Sequence, residues 1–123
     1  HILIVDDEKE FVDVLSRRLT RRGFNVQAAH NGVQALRALR EAEFDIAILD
    51  LKMEGIDGVE LMKIFAVLAP EMPVIMMTGH GSESAMRKCL RLGAVDYLSK
   101  PLVFNELVDL VRHHGGVREQ ANA

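Results

Sequence analysis

The pentapeptide Ile46-Ala47-Ile48-Leu49-Asp50 does most to define how this chain folds, because it is a short apolar run that ends on an acid. Ile2-Leu3-Ile4-Val5 is a second run of the same kind, and two acids, Asp6 and Asp7, follow it directly. Uninterrupted apolar runs of this length are typical of strands that are buried on both faces of a sheet. Both segments therefore predict buried strands with aspartates at their carboxyl ends.

Strand-like and helix-like segments alternate along the rest of the chain. Three further strands are predicted at residues 24–28, 74–77 and 95–98, the last of them weaker and suited to a sheet edge. Amphipathic helices are predicted at residues 8–22, 31–42, 59–68, 83–92 and 104–114. This alternation predicts an α/β fold, a doubly wound parallel sheet with helices on both faces. We expect the flavodoxin-like (βα)5 order 2-1-3-4-5, in which strands one and three flank the switch point.

Residues that favour helix ends lie at the predicted boundaries. Asn31 and Ser82 are predicted N-caps of the second and fourth helices, and Asp57 with Glu60 forms a capping-box pattern for the third. Gly23 occupies the position of a C-terminal glycine cap. The inward stripe of the second helix is predicted to consist of Val33, Leu36 and Leu39.

Bulk properties narrow the class of protein. The chain has 123 residues, 49% of them hydrophobic and 27% charged, which indicates one ordered domain. Its formal charge of -3 argues against direct nucleic-acid contact, and its longest charge-free stretch is too short to span a membrane. Cys89 has no cysteine partner, which fits a reducing, cytoplasmic location. Residues 1–114 are expected to form the domain, and residues 115–123 a linker or frayed C-terminal tail.

Acidic, hydroxyl and lysine side chains follow the predicted strands at the carboxyl edge of the sheet. Asp6, Asp7 and Asp50 follow strands one and three, Thr78 follows strand four, and Lys100 lies just beyond strand five. Three neighbouring carboxylates repel one another unless a cation neutralises them, and Mg²⁺ favours carboxylate oxygens together with phosphate oxygens. A carboxylate in such a site can attack phosphorus. Each residue taken alone is more often a loop acid, a helix cap or a solvated lysine, but their joint placement favours a functional site.

The segments that carry this chemistry resemble the receiver domain of bacterial response regulators, over residues 2 to 114. They are Ile4-Val5-Asp6-Asp7-Glu8, Asp50-Leu51-Lys52-Met53, Gly55-Ile56-Asp57-Gly58, Met77-Thr78-Gly79 and Gly93-Ala94-Val95-Asp96-Tyr97-Leu98-Ser99-Lys100-Pro101. The resemblance implies two-component signalling, in which the chain is a phosphoacceptor and not an enzyme acting on a separate substrate.

The resemblance also implies roles for individual residues. Asp50 is the implied phosphoacceptor, and Asp7 and Asp50 are the implied direct ligands of Mg²⁺. Asp6 is implied to act mainly through water on the ion, and the backbone carbonyl of Lys52 to complete the protein's share of the coordination. Lys100 is implied to pair with the phosphoryl group, or with Asp50 before phosphorylation.

A switch and its partners follow from the same resemblance. Thr78 is implied to shift toward the phosphate while Tyr97 turns from an exposed to a buried position, which changes the surface of the fourth helix, fifth strand and fifth helix. The implied partners are a sensor histidine kinase or phosphotransfer protein, a C-terminal output domain, and a second copy bound through that surface.

One departure from the family pattern, one further candidate residue and two rival functions remain at this stage. Glu54 replaces a proline common in relatives, and His80, two residues after Thr78, is a candidate influence on phosphate hydrolysis. A phosphatase of the haloacid dehalogenase type also uses an aspartyl nucleophile, but it generally needs an acid two residues later, where this chain has Lys52. A phosphorylation-independent interaction module is the second rival.

Overall fold

The computed structural model describes residues 1–53, 55–79 and 83–122, with side chains described as far as residue 115. Five parallel strands form one sheet in the order β2-β1-β3-β4-β5, which confirms the predicted topology. The strands are β1 (Ile2–Val5), β2 (Val26–Ala29), β3 (Ile46–Asp50), β4 (Val74–Thr78) and β5 (Asp96–Ser99). The helices are α1 (Lys9–Arg21), α2 (Gly32–Glu41), α3 (Gly58–Leu68), α4 (Glu83–Arg91) and α5 (Phe104–Asn122).

Burial along the strands follows their place in the sheet. Every residue of β1, β3 and β4 is buried, as expected for strands covered on both faces. β5 pairs with β4 at the edge of the sheet, and its residues alternate between half-buried and exposed. The weaker apolar pattern predicted for the fifth strand therefore has a physical cause, which is its edge position.

Two apolar layers cover the sheet, one on each face. Along β1, Leu3 and Val5 face the layer formed with α2, α3 and α4, whereas Ile2 and Ile4 face the layer formed with α1 and α5. Strand side chains alternate between faces, so successive residues of one strand feed both cores. The result fixes β1 and β3 in the centre of the molecule and aligns their carboxyl ends.

Three of the predicted helix-end residues lie where expected. The Asn31 side chain accepts a hydrogen bond from the backbone N–H of Gln34 at 2.8 Å, and that of Asp57 accepts one from the backbone N–H of Glu60 at 2.9 Å. Gly23 follows α1 with a φ of 93°, a backbone conformation that favours glycine. The predicted cap Ser82 lies outside the described residues.

Two expectations about the helices were wrong. Val33 is 67% exposed, and α2 instead buries Ala35 and Ala38, with Leu36 and Leu39 packed partly against the core. Because alanine side chains are small, the helix can lie close to the sheet. A prediction that selects only the largest apolar residues does not detect this buried face. α5 continues to Asn122 instead of ending near His114.

Among the described residues, no helix has the length and apolar character needed to cross a bilayer.

Candidate functional site

Three carboxylates meet where β1 and β3 end. β1 and β3 pair in parallel, Val5 opposite Leu49, so the acids that follow each strand emerge at the same edge. One oxygen from each of Asp6, Asp7 and Asp50 lies within 4.8 Å of the others. Asp6 is fully buried and Asp50 is 4% exposed, whereas Asp7 is partly exposed toward solvent. The structure therefore brings together the acids that the sequence places at the ends of different strands.

Lys100 supplies the positive charge of this cluster. Its Nζ lies 2.8 Å from Oδ2 of Asp6, 3.0 Å from Oε1 of Glu8 and 3.6 Å from Oδ1 of Asp50. The backbone N–H of Lys100 donates to the carbonyl of Thr78 at 2.7 Å, and the Lys100–Pro101 peptide bond is cis. The loop after β5 thus carries the lysine back over the carboxyl edge of the sheet.

Burial and neighbouring charges shift the pKa values of Asp50 and Lys100. Burial raises the pKa of Asp50 from 3.8 to about 6, and the negative charge of Asp6 adds to this, while Lys100 acts in the lowering direction. Burial alone would lower the pKa of Lys100, but its hydrogen bonds to Asp6 and Glu8, together with the negative charges of Asp6 and Asp50, raise it. The cluster therefore holds more negative charge than one ammonium group compensates.

The donor set fits a hard divalent cation. Carboxylate oxygens are the ligands that Mg²⁺ prefers, and an ion among Asp6, Asp7 and Asp50 would relieve the repulsion that raises the Asp50 pKa. An open cavity of about 450 Å³ adjoins Asp7 and is also lined by Lys52, the residue whose carbonyl was expected to join the coordination.

Thr78 and Tyr97 lie on neighbouring strands. Thr78 is buried at the end of β4, and its hydroxyl donates to the carbonyl of Gly79 at 2.9 Å. Tyr97 is 47% exposed on β5 and pairs with Met76, two residues before Thr78 in the register. Met77 is the register partner of Asp50, so Thr78 lies one residue further along, at the same edge of the sheet as the acids. The tyrosine is half exposed at the surface. Glu54 and His80 lie outside the described residues.

Two residues matter to the site in ways that the sequence reasoning missed. Gly58 begins α3 so close to β3 that a Cβ there would lie 2.6 Å from the backbone oxygen of Asp50 and from Cα of Leu51. A glycine in the first turn, where alanine is the better helix former, was the available signal. The second residue is Glu8, whose partner Lys100 is 92 positions away. No local pattern predicts that contact.

Comparison with known proteins agrees with this geometry. Residues 2–112 match the family model of the response regulator receiver domain. The transcriptional regulatory protein ZraR of Escherichia coli K12 is 40% identical over 106 residues, which cover 86% of this chain and 24% of ZraR. A putative response regulator, NtrX-like, of Rickettsia felis is 37% identical over 113 residues, covering 90% of this chain and 24% of the relative. The chain thus spans about a quarter of the length of these relatives.

Solved structures share the whole fold. The receiver domain of NtrX from Brucella abortus superimposes with a TM-score of 0.89 at 29% identity, covering 94% of this chain and 98% of the other. A CheY-like receiver domain protein from Methanospirillum hungatei gives a TM-score of 0.92 at 29% identity, covering 98% and 96%. By its family match, its relatives and its fold, the chain belongs to the response regulator receiver domains of two-component systems.

Proposed function

We propose that this domain accepts one phosphoryl group on Asp50, in a reaction that needs Mg²⁺, from a sensor histidine kinase or a phosphotransfer protein. The observation that carries the proposal is the meeting of three carboxylates within 4.8 Å beside a lysine that reaches two of them. Such a cluster is costly to assemble without a ligand, since like charges at this range repel. A divalent cation would offset this repulsion and could also bind the oxygens of an incoming phosphoryl group.

The chemistry assigned to each residue follows from its position. An oxygen of Asp50 attacks phosphorus, the bond from phosphorus to the donor's imidazole nitrogen breaks, and its electron pair stays on the imidazole, which takes up a proton. Mg²⁺ held by Asp6, Asp7, Asp50 and the carbonyl of Lys52 would supply charge neutralisation for the transferred oxygens. The domain assists only its own phosphorylation and dephosphorylation.

Lys100 and Thr78 complete the proposed site. The Lys100 ammonium, 3.6 Å from Asp50, is near enough to bind a phosphoryl oxygen after a small movement. The Thr78 hydroxyl, which donates to Gly79, would exchange that carbonyl for a phosphoryl oxygen. Both residues then stabilise the negative charge that arrives on Asp50.

The proposed output is a change of the α4-β5-α5 surface. Thr78 and Tyr97 lie on adjacent strands, so a shift of the threonine leaves room for the half-exposed tyrosine to turn inward. We further propose that residues 1–114 form the receiver domain of a cytoplasmic regulator and that residues 115–123 lead toward a C-terminal output domain. Relatives about four times as long as this chain support a larger protein. The same surface is the proposed contact between two copies of the chain.

Labelling with a small phosphodonor tests the phosphorylation. The protein is incubated with acetyl phosphate, with Mg²⁺ or with a chelator, and its intact mass is measured. We expect the mass of one phosphoryl group to appear only with Mg²⁺. Asp50→Asn should abolish the gain, and Asp13→Asn, which changes an exposed acid of α1, should not.

Other outcomes separate the rival functions. Turnover of phosphate monoesters without a lasting mass gain would indicate a phosphatase. Absence of any gain from either acetyl phosphate or phosphoramidate would contradict the proposal and favour an interaction module that works without phosphorylation.

A further inference from the structure

The Lys100 ammonium is held away from Asp50 in this structure. It donates to Oδ2 of Asp6 at 2.8 Å and to Oε1 of Glu8 at 3.0 Å, whereas its distance to Oδ1 of Asp50 is 3.6 Å. The last distance is too long for a good hydrogen bond. Nζ also lies 4.6 Å from the ring centroid of Phe11. The lysine that is expected to serve the phosphoryl group is therefore already engaged elsewhere.

The Glu8 side chain does not cap the helix that begins after it. Glu8 occupies the N-cap position of α1, but its side chain makes no capping hydrogen bond. Ser, Thr, Asp and Asn are the residues that favour this position, because their shorter side chains reach the free N–H groups of the first turn. The Glu8 carboxylate instead reaches across to Lys100, and the Glu8 backbone N–H donates to Oδ1 of Asp6.

The two acids that hold Lys100 differ in how easily they can release it. The Asp6 side chain is 0% exposed, so breaking its pair would leave a buried charge without compensation. The Glu8 side chain is 63% exposed, and water can replace the lysine there at little cost. A movement of Lys100 toward Asp50 should therefore give up Glu8 and keep Asp6.

We propose that Glu8 is a positioning residue which holds Lys100 at the rim of the site and competes with the phosphoryl group for it. This inference rests on the proposed phosphorylation of Asp50. Phosphorylation brings three acceptor oxygens and additional negative charge, which draw Lys100 off Glu8. Because the Glu8 contact stabilises only the unphosphorylated arrangement, its removal should speed phosphorylation.

The first test compares two charge-neutral substitutions in α1 and its cap. Glu8→Gln should raise the rate constant of labelling by acetyl phosphate about two- to fivefold, the range expected from losing one partly exposed ion pair. Glu10→Gln removes the same charge from a nearby exposed position that has no ion pair with Lys100 among the described residues, and should leave the rate unchanged. Equal acceleration by both variants would show simple relief of repulsion toward the anionic donor and overturn the proposal.

The second test asks whether Glu8 acts through Lys100. In a Lys100→Gln background, where we expect labelling to be slow, Glu8→Gln should no longer change the rate. An acceleration that persists without the lysine contradicts the proposal, as does a slower rate in the single variant.

The third test needs no phosphorylation and so separates this inference from the proposed function. With lysine labelled at Cε, the NMR signal of Lys100 in the unphosphorylated protein should move in Glu8→Gln and stay in place in Glu10→Gln. An unmoved signal would refute the contact even if labelling succeeds. A moved signal with no labelling in any variant would refute the phosphorylation and leave the contact standing.

Discussion

The carboxyl ends of β1 and β3 differ sharply from β5 at the rim of the same sheet. The first region, which we call the acidic edge, consists of Asp6, Asp7 and Asp50 and follows strands that are buried throughout. The second, the β5 edge, pairs on one side and leaves Tyr97 half exposed. The acidic edge therefore lies on strands that are covered on both faces, whereas the surface that we propose to change on phosphorylation includes a strand with one neighbour.

The largest expected contrast is in stability. Ile48→Ala removes a fully buried side chain from β3 and should lower the free energy of unfolding by about 3 kcal/mol. Tyr97→Ala at the β5 edge should cost less than about 1 kcal/mol, because half of the side chain is already in water. Urea unfolding measures both values. Similar losses would mean that the β5 edge is as firmly packed as the centre.

Two glycines provide the next contrast. Gly58→Ala places a Cβ 2.6 Å from backbone atoms of Asp50 and Leu51, which cannot rotate aside, so we expect a loss of about 1–3 kcal/mol and slower labelling of Asp50. Gly79→Ala meets no atom within 4 Å and should change stability by less than about 0.5 kcal/mol. Thermal unfolding and intact mass report the two effects. A Gly58→Ala protein as stable as the wild type would show that α3 can move away from β3 freely.

The smallest expected effect is a dependence of stability on pH at the acidic edge. The pKa of Asp50 is raised from 3.8 to about 6, so between these values the folded protein binds its proton more tightly than the unfolded chain. The contribution of Asp50 to stability therefore falls as pH rises from about 4 to 6 and stays low above that range.

Asp50→Asn isolates this contribution. In the presence of a chelator, the variant should lack the fall and be more stable than the wild type at pH 7.5, by about 1 to 2 kcal/mol. Urea unfolding at several pH values from 4.5 to 7.5 measures the difference. A variant that is less stable than the wild type at pH 7.5 would show that the contact with Lys100 outweighs burial and repulsion at Asp50.

Local periodicity predicted the strands, and the rule that parallel strands end at one edge of a sheet predicted the meeting of the acids. The order of the strands was taken from the flavodoxin-like arrangement, and the structure confirms it. Sequence patterns failed where packing depends on size or on distant partners. Val33 looked like a core residue, but Ala35 and Ala38 allow the closer approach of α2 to the sheet. Lys100 was expected to pair with Asp50 before phosphorylation, and its Nζ lies 3.6 Å from Oδ1 of Asp50. Its shorter contacts to Asp6 and Glu8 were not predicted, because they join residues that are far apart in the sequence.

The position of β1 in the middle of the sheet has a consequence for synthesis. Ile2 of β1 pairs with Val26 on one side and with Ile46 on the other. β1 therefore lacks both neighbouring strands until β2 and β3 have been synthesised. Long-range parallel pairings of this kind form slowly, because the intervening chain must first be brought to order. On the ribosome, Asp6 and Asp7 are therefore made before Asp50, and they acquire the third carboxylate only after Asp50 has been added to the chain.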